Sequence, residues 1–155
     1  MKEAPDCFLP LKVMPAEGDK IILSPAYFFP ANIMSRGLFA GVSLVTKTIV
    51  VDASNGRAVI SDADIRPCAV PDFPCIPREL PVKLSEHQAL SAAEMMATPE
   101  EARGWRRGFN SVRVFFRNSE FNFVWHTYII RGSLLIDAFT GEESEAADVI
   151  DILLR

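Results

Sequence analysis

The chain has 155 residues, of which 49% are apolar and 23% are charged, and its formal net charge is -4. This length suits one domain with its own hydrophobic core, and this composition is too apolar for a disordered chain. The acidic balance argues against nucleic acid as a partner, because phosphate backbones are bound through a surplus of Lys and Arg. No apolar run approaches the roughly 20 residues of a membrane-spanning helix.

The cysteine set points to a reducing compartment. Cys7, Cys68 and Cys75 are an odd and sparse set for a chain of this length, which indicates reduced thiols rather than a disulfide framework. The first residues lack the basic and apolar regions of a secretory signal peptide. We therefore expect a cytoplasmic protein.

The first half of the chain, residues 8–66, is predicted to be mostly β. β-Branched and apolar residues favour strands at 20–23 and 39–51, and a hairpin partner for the second strand at 57–60. The proline-bounded segment 25–30 is expected to be extended.

A proline-rich connector, residues 67–81, follows the first half. Its five regularly spaced prolines exclude a helix or a central strand, and its apolar character favours a strap laid across the protein over a free linker. Phe73 and Ile76 are expected to pin this strap to the core.

The second half, residues 82–155, is predicted to have the order ααβββα. Its first helix is marked by a capping box at Ser85 and Gln88. The predicted elements are helices at 86–97, 99–108 and 146–153 and strands at 112–116, 121–125 and 133–136, the first two strands forming an antiparallel pair. The expected fold class is therefore α+β, with helices packed on one face of antiparallel sheet.

The two halves share a short sequence pattern at an offset of 85 residues. Three aliphatic residues and Asp-Ala precede a glycine by two further residues, both at 49–56 and at 134–141. Each Asp suits a turn in which its side chain accepts from backbone amides, and the Gly suits a positive φ. A weaker echo links 33–37 with 128–132. The pattern indicates either duplicated halves or convergence on one kind of turn.

Residues 84–142 resemble PepSY-like domains. The resemblance is carried by a helix opening on Ser-Glu-His-Gln-Ala-Leu and by the closing Asp-Ala-Phe-Thr-Gly-Glu turn at 137–142. It implies a helix packed on a small antiparallel sheet, with a binding or inhibitory role rather than catalysis. The chain departs from that pattern in the absence of a visible export signal and in the second short helix.

Candidate catalytic and metal-binding residues each have a structural alternative. Asp52 and Asp137 could be paired catalytic carboxylates, although each occupies a position where a turn favours Asp. Cys68 or Cys75 could form a thiolate nucleophile with His126, but a buried inert thiol is the commoner case. No cofactor fingerprint appears, and the cysteine spacing does not suit zinc, so neither a cofactor nor a metal is expected.

The charge pattern suggests a contact surface. Arginines dominate the region from 103 to 131, whereas acidic residues dominate from 137 to 151, which indicates either intramolecular pairing or a complementary interface. His126 is expected to be partly exposed on a strand, on the face opposite Trp125. The candidate binding residues are Trp105, Arg106, Arg113, Arg117, Trp125 and His126.

These observations favour a non-enzymatic interaction or regulatory domain that binds a protein partner or a small ligand. Self-association as a homodimer fits the segregated charges. The alternative is a small enzyme with a Cys/His or carboxylate site between the two halves.

Overall fold

A computed structural model describes residues 4–36, 41–61, 65–97, 111–116 and 123–145. These residues contain eight strands and one helix. The elements are β1 (Lys20–Arg36), β2 (Val42–Asp52), β3 (Ala58–Ser61), β4 (Arg78–Glu79), α1 (Glu86–Ala97), β5 (Ser111–Phe116), β6 (Phe123–Arg131), β7 (Leu134–Asp137) and β8 (Glu143–Glu145). Within this part of the chain, no helix is both long enough and apolar enough to cross a bilayer.

One curled sheet joins strands from both halves of the chain. Its order is β3-β2-β1-β6-β7-β8, with every neighbouring pair antiparallel, and β4 and β5 also pair with β1. The 17-residue β1 is therefore the central strand of the sheet, since it pairs with four other strands. The predicted hairpin of β2 with residues 57–60 is confirmed by the β2–β3 pairing.

Two prolines lie inside the central strand, where a missing N–H would normally break a ladder. On one side of β1, pairing passes from β4 at 22–23 to β2 at 26–36, and Pro25 lies between these ladders. On the other side, pairing passes from β6 at 20–27 to β5 at 31–36, and Pro30 lies between those. Each proline thus occupies a break in one ladder, which explains how β1 remains continuous.

Both faces of the sheet are buried over much of its area. On one face, Tyr27 and Phe29 pack with Ala89 and Ala93 of α1, and the same face continues into a cluster around Trp125. On the opposite face, apolar clusters surround a patch of buried polar residues. Those polar residues are Ser24, Asp52, His126, Tyr128 and Asp137.

The predicted α+β class, with helices packed on one face, is wrong, because the described residues are mostly strand with a single helix. The sequence pattern divided β1 into short pieces at its prolines and so underestimated the sheet. The helix at 86–97 is confirmed, including its capping box: Ser85 N donates to Gln88 Oε1 at 2.9 Å, and Gln88 N donates to Ser85 Oγ at 3.2 Å. The helices predicted at 99–108 and 146–153 lie outside the described residues.

Two further expectations are corrected. The strands predicted at 112–116 and 121–125 do not pair with each other as antiparallel neighbours, because β5 and β6 both run antiparallel to β1. In the connector, Phe73 does pack on Phe8, with ring centroids 6.0 Å apart, whereas Ile76 is 95% exposed and pins nothing.

Candidate functional site

The two Asp-Ala-x-x-Gly segments form turns with the same backbone geometry. Gly56 N donates to Asp52 O at 2.9 Å, and Gly141 N donates to Asp137 O at 2.7 Å. Both glycines have a positive φ, at 78° and 83°, which a residue with a Cβ rarely adopts. The Asp137 side chain also accepts from the amides of Phe139 and Thr140 at 3.0 and 3.1 Å. The prediction that these segments form turns is confirmed.

The strands around the two turns correspond in register. Val51 pairs with Ala58 in β2–β3, and moving both by the offset of 85 gives Ile136 and Glu143, which pair in β7–β8. The structure matches residues 26–30, rather than 33–37, with 128–132, since Ala26 faces Asp52 as Tyr128 faces Asp137.

One pair of residues lies at the centre of this correspondence. Ala53 N donates to Pro25 O, and Ala138 N donates to Thr127 O, so Pro25 corresponds to Thr127. Ser24 therefore corresponds to His126, and these two residues are paired with each other in β1–β6. An approximate two-fold axis thus passes between them. Duplication of an ancestral half stays a prediction.

His126 bonds to both turn aspartates. Its Nδ1 lies 3.0 Å from Asp52 Oδ1, and its Nε2 lies 2.7 Å from Asp137 Oδ1. The Tyr128 ring stacks on the imidazole at 4.5 Å, and its hydroxyl donates a short hydrogen bond to Asp52 Oδ2. We call these four residues, Asp52, His126, Tyr128 and Asp137, the carboxylate–histidine cluster. Each is at most 2% exposed.

The surrounding charges favour a protonated imidazole. Burial alone would lower the pKa of His126, but the charge of Asp52 and the hydrogen bonds to Asp137 and Asp52 raise that pKa to about 10. Burial raises the pKa of Asp137, but the hydrogen bond and charge of His126 outweigh it and leave the pKa below its usual value. Burial, followed by the charge of Asp52, raises the pKa of Tyr128 well above its usual value, so that this hydroxyl stays a donor.

The contact of His126 with both turn aspartates was not predicted from the sequence. His126 was expected to be partly exposed, but it is 1% exposed, because β6 is an inner strand and the two turns meet over it. The prediction that His126 lies on the face opposite Trp125 is confirmed. The only available signal was the equivalence of Asp52 and Asp137 in the two copies.

Of the other candidate binding residues, the structure describes Trp125 and the strand position of Arg113. Trp125 is 6% exposed and packs in the core with Phe8 and Ile21 on the opposite face of the sheet. Arg113 lies in β5 opposite Met34. Trp105, Arg106 and Arg117 lie outside the described residues.

A groove of about 780 Å³ adjoins the cluster. Phe139 separates the two, because its ring meets the His126 ring edge-on at 5.8 Å and also lines the groove. A groove of this size is typical of ligand sites. The lining comes from four segments, residues 10–12, residues 59–61 of β3, residues 65–66 and residues 139–140.

The groove combines apolar walls with two cations. Leu11, Val59 and Ile65 supply apolar surface, and the exposed Lys12 and Arg66 supply positive charge. Neither cation forms an ion pair with the residues that the structure describes. Such a lining suits a ligand with an apolar body and an anionic group.

The cysteines and the metal-binding residue types form no comparable site. Cys68 and Cys75 are exposed thiols, and both ring nitrogens of His126 bond to carboxylates. Over the described ranges, no group of three or more His, Cys, Asp or Glu is arranged to hold a metal ion. No family model, curated protein sequence or solved structure matches this chain.

We predict that stability falls with rising pH across the His126 titration. The folded pKa of about 10 lies above the unfolded value of 6.5, so the stabilisation is complete below about pH 6.5 and is lost as pH rises toward 10. The slope should reach about 1.4 kcal/mol per pH unit. Urea unfolding across this range, with His87→Gln as a control that keeps the slope, measures it. A free energy of unfolding that is flat or rises over this interval would contradict the protonated cluster.

We also predict opposite outcomes for two buried hydroxyls. Tyr128→Phe removes the hydroxyl that donates to Asp52 Oδ2, which then keeps only the long hydrogen bond from Asn55 Nδ2 at 3.4 Å among the described residues. This variant should lower the free energy of unfolding by about 1–3 kcal/mol. Ser24→Ala removes a buried hydroxyl that has no partner among the described residues, so it should be neutral or stabilising by up to about 1 kcal/mol. Chemical denaturation measures both, and an equal loss from the two variants would contradict the cluster geometry.

Proposed function

We propose that this chain is a non-enzymatic binding domain whose groove holds an apolar ligand segment with an anionic group. The observation that carries the proposal is the groove itself, with apolar walls and with Lys12 and Arg66 available as counter-charges. The carboxylate–histidine cluster stabilises one wall of the groove. Asp137 accepts hydrogen bonds from the amides of Phe139 and Thr140, and these two residues form that wall.

The burial of the cluster favours binding over catalysis. A general base must reach the proton that it abstracts. His126 is 1% exposed, and both its nitrogens are already bonded to carboxylates. A small enzyme with a Cys/His or carboxylate site between the two halves is the alternative proposal, and the position of the cluster between the two turns favours its carboxylate form. That function would require the Phe139 side of the cluster to open.

Binding of anilinonaphthalene sulfonate, which joins apolar rings to one anionic group, tests the groove directly. We expect saturable fluorescence enhancement with the folded wild-type protein. The double variant Lys12→Glu and Arg66→Glu should weaken binding by roughly tenfold or more, because both counter-charges become repulsive. The matched control is Lys20→Glu, an exposed charge reversal outside the groove lining.

Equal binding by the double variant and the control would contradict the groove as the site. The near-ultraviolet circular dichroism of every variant must match the wild type, since this probe also binds partly unfolded chains.

A further inference from the structure

We propose that the natural occupant of the groove is an extended acidic peptide segment of a partner protein, added as a strand along the outer edge of β3. This inference rests on the proposed function, because it names the ligand class of the same groove. It depends on three observations, which concern the lining of the groove, the two edges of the sheet and the charge around β3.

The first observation is that the groove follows the edge of a strand. Val59, Ile60 and Ser61 are consecutive residues of β3, and all three line the groove. Successive side chains of a strand point to opposite faces. Three neighbours can therefore line one groove only when the groove runs along the backbone edge, which is where a peptide adds to a sheet.

The second observation is the direction of the Ile60 backbone groups. Among the described strands, β3 ends the sheet and pairs only with β2. Asp52 N donates to Arg57 O at 2.8 Å, and pairing roles alternate along an antiparallel ladder, so the N–H and C=O of Ile60 point away from β2. Ile60 is 39% exposed, which leaves this position accessible.

The contrast between the two edges of the sheet supports the same conclusion. β8 ends the sheet on the other side, and by register Ala58 corresponds to Glu143 and Ile60 to Glu145. Charged residues blunt an edge strand against unwanted pairing. The β8 edge carries Glu143 and Glu145, whereas the β3 edge is apolar at the equivalent positions. Of these two edges, the β3 edge has the character of a template for a further strand.

The third observation selects an acidic partner. Lys12 and Arg66 both line the groove, and no acidic residue is among the lining residues that the structure describes. A peptide that places carboxylates beside these two cations would gain charge-assisted contacts at both, while its alternate apolar side chains contact Leu11 and Phe139. A basic peptide would meet like charge at both positions.

The test uses the full-length chain and a fluorescein-labelled acetyl-Glu-Val-Thr-Val-Glu-Val-Thr peptide in fluorescence anisotropy. A second peptide carries N-methyl groups on alternate amides, which keeps the side chains but removes strand hydrogen bonds. A third replaces both Glu by Lys. We expect the first peptide to bind at least tenfold more tightly than either of the others.

The protein variants separate the backbone edge from the rest of the groove. Ile60→Pro removes the outward N–H without touching the β2 ladder and should weaken peptide binding at least tenfold. Ile60→Thr keeps the N–H and should retain most peptide binding. Glu145→Pro, at the equivalent position on the opposite edge, is the matched control and should have no effect.

The outcomes distinguish the two proposals. Equal binding of the N-methylated peptide, or sulfonate binding without peptide binding, would overturn strand addition and leave the groove as a small-ligand site. If the folded wild-type protein binds neither the first peptide nor the sulfonate, both proposals are overturned. Binding of the first peptide that is lost in Ile60→Pro and kept in Ile60→Thr would support strand addition.

Discussion

The structure depends on one buried imidazole that bonds to a carboxylate from each half of the chain. Asp52 ends β2, Asp137 ends β7, and His126 lies between them on an inner strand. Removing one partner from a buried, hydrogen-bonded charge group costs about 3–5 kcal/mol, because the remaining charges lose their compensation. The cluster therefore constrains how the two related turns sit over the sheet. Each of these turns is also joined to the adjacent strand by a backbone hydrogen bond, from Ala53 N to Pro25 O and from Ala138 N to Thr127 O.

The approximate two-fold relation explains why a single histidine suffices. Its axis passes between the paired residues Ser24 and His126, so both turns approach the same point from opposite sides. One of the two axial positions holds the imidazole, and the other holds a small serine. The same relation brings together Arg57 and Glu142, the residues after the two turn glycines, at 3.1 Å. Being exposed, that pair contributes about 0–1 kcal/mol at most.

The symmetry is broken where the proposed function lies. The β3 edge is apolar and borders a groove with two cations, whereas the corresponding β8 edge carries two glutamates. A sheet with equivalent edges would risk pairing end to end with other copies. The two glutamates of β8 disfavour that pairing at one edge, and the proposed peptide partner would bind at the other. The cluster supports this arrangement at a distance by fixing the Phe139 wall of the groove.

Local features of this fold could be read from the sequence, and non-local ones could not. The turn aspartates, the capping box at Ser85 and the β2–β3 hairpin depend on residues close in the chain, and all were predicted correctly. The fold class was wrong because the two prolines of β1 mark strand breaks unless the ladders on each side are known. The burial of His126 was missed because it depends on β1 pairing with β6, strands about 100 residues apart in the chain.

Nitrogen-15 NMR of the imidazole reports the charge on His126, on which the carboxylate–histidine cluster depends. In a His87→Gln background, only one histidine remains to be assigned. We expect both ring nitrogens to carry slowly exchanging protons at about pH 8, where an ordinary histidine is neutral. One protonated and one bare nitrogen at that pH would contradict it, since a neutral ring can donate to only one of the two carboxylates.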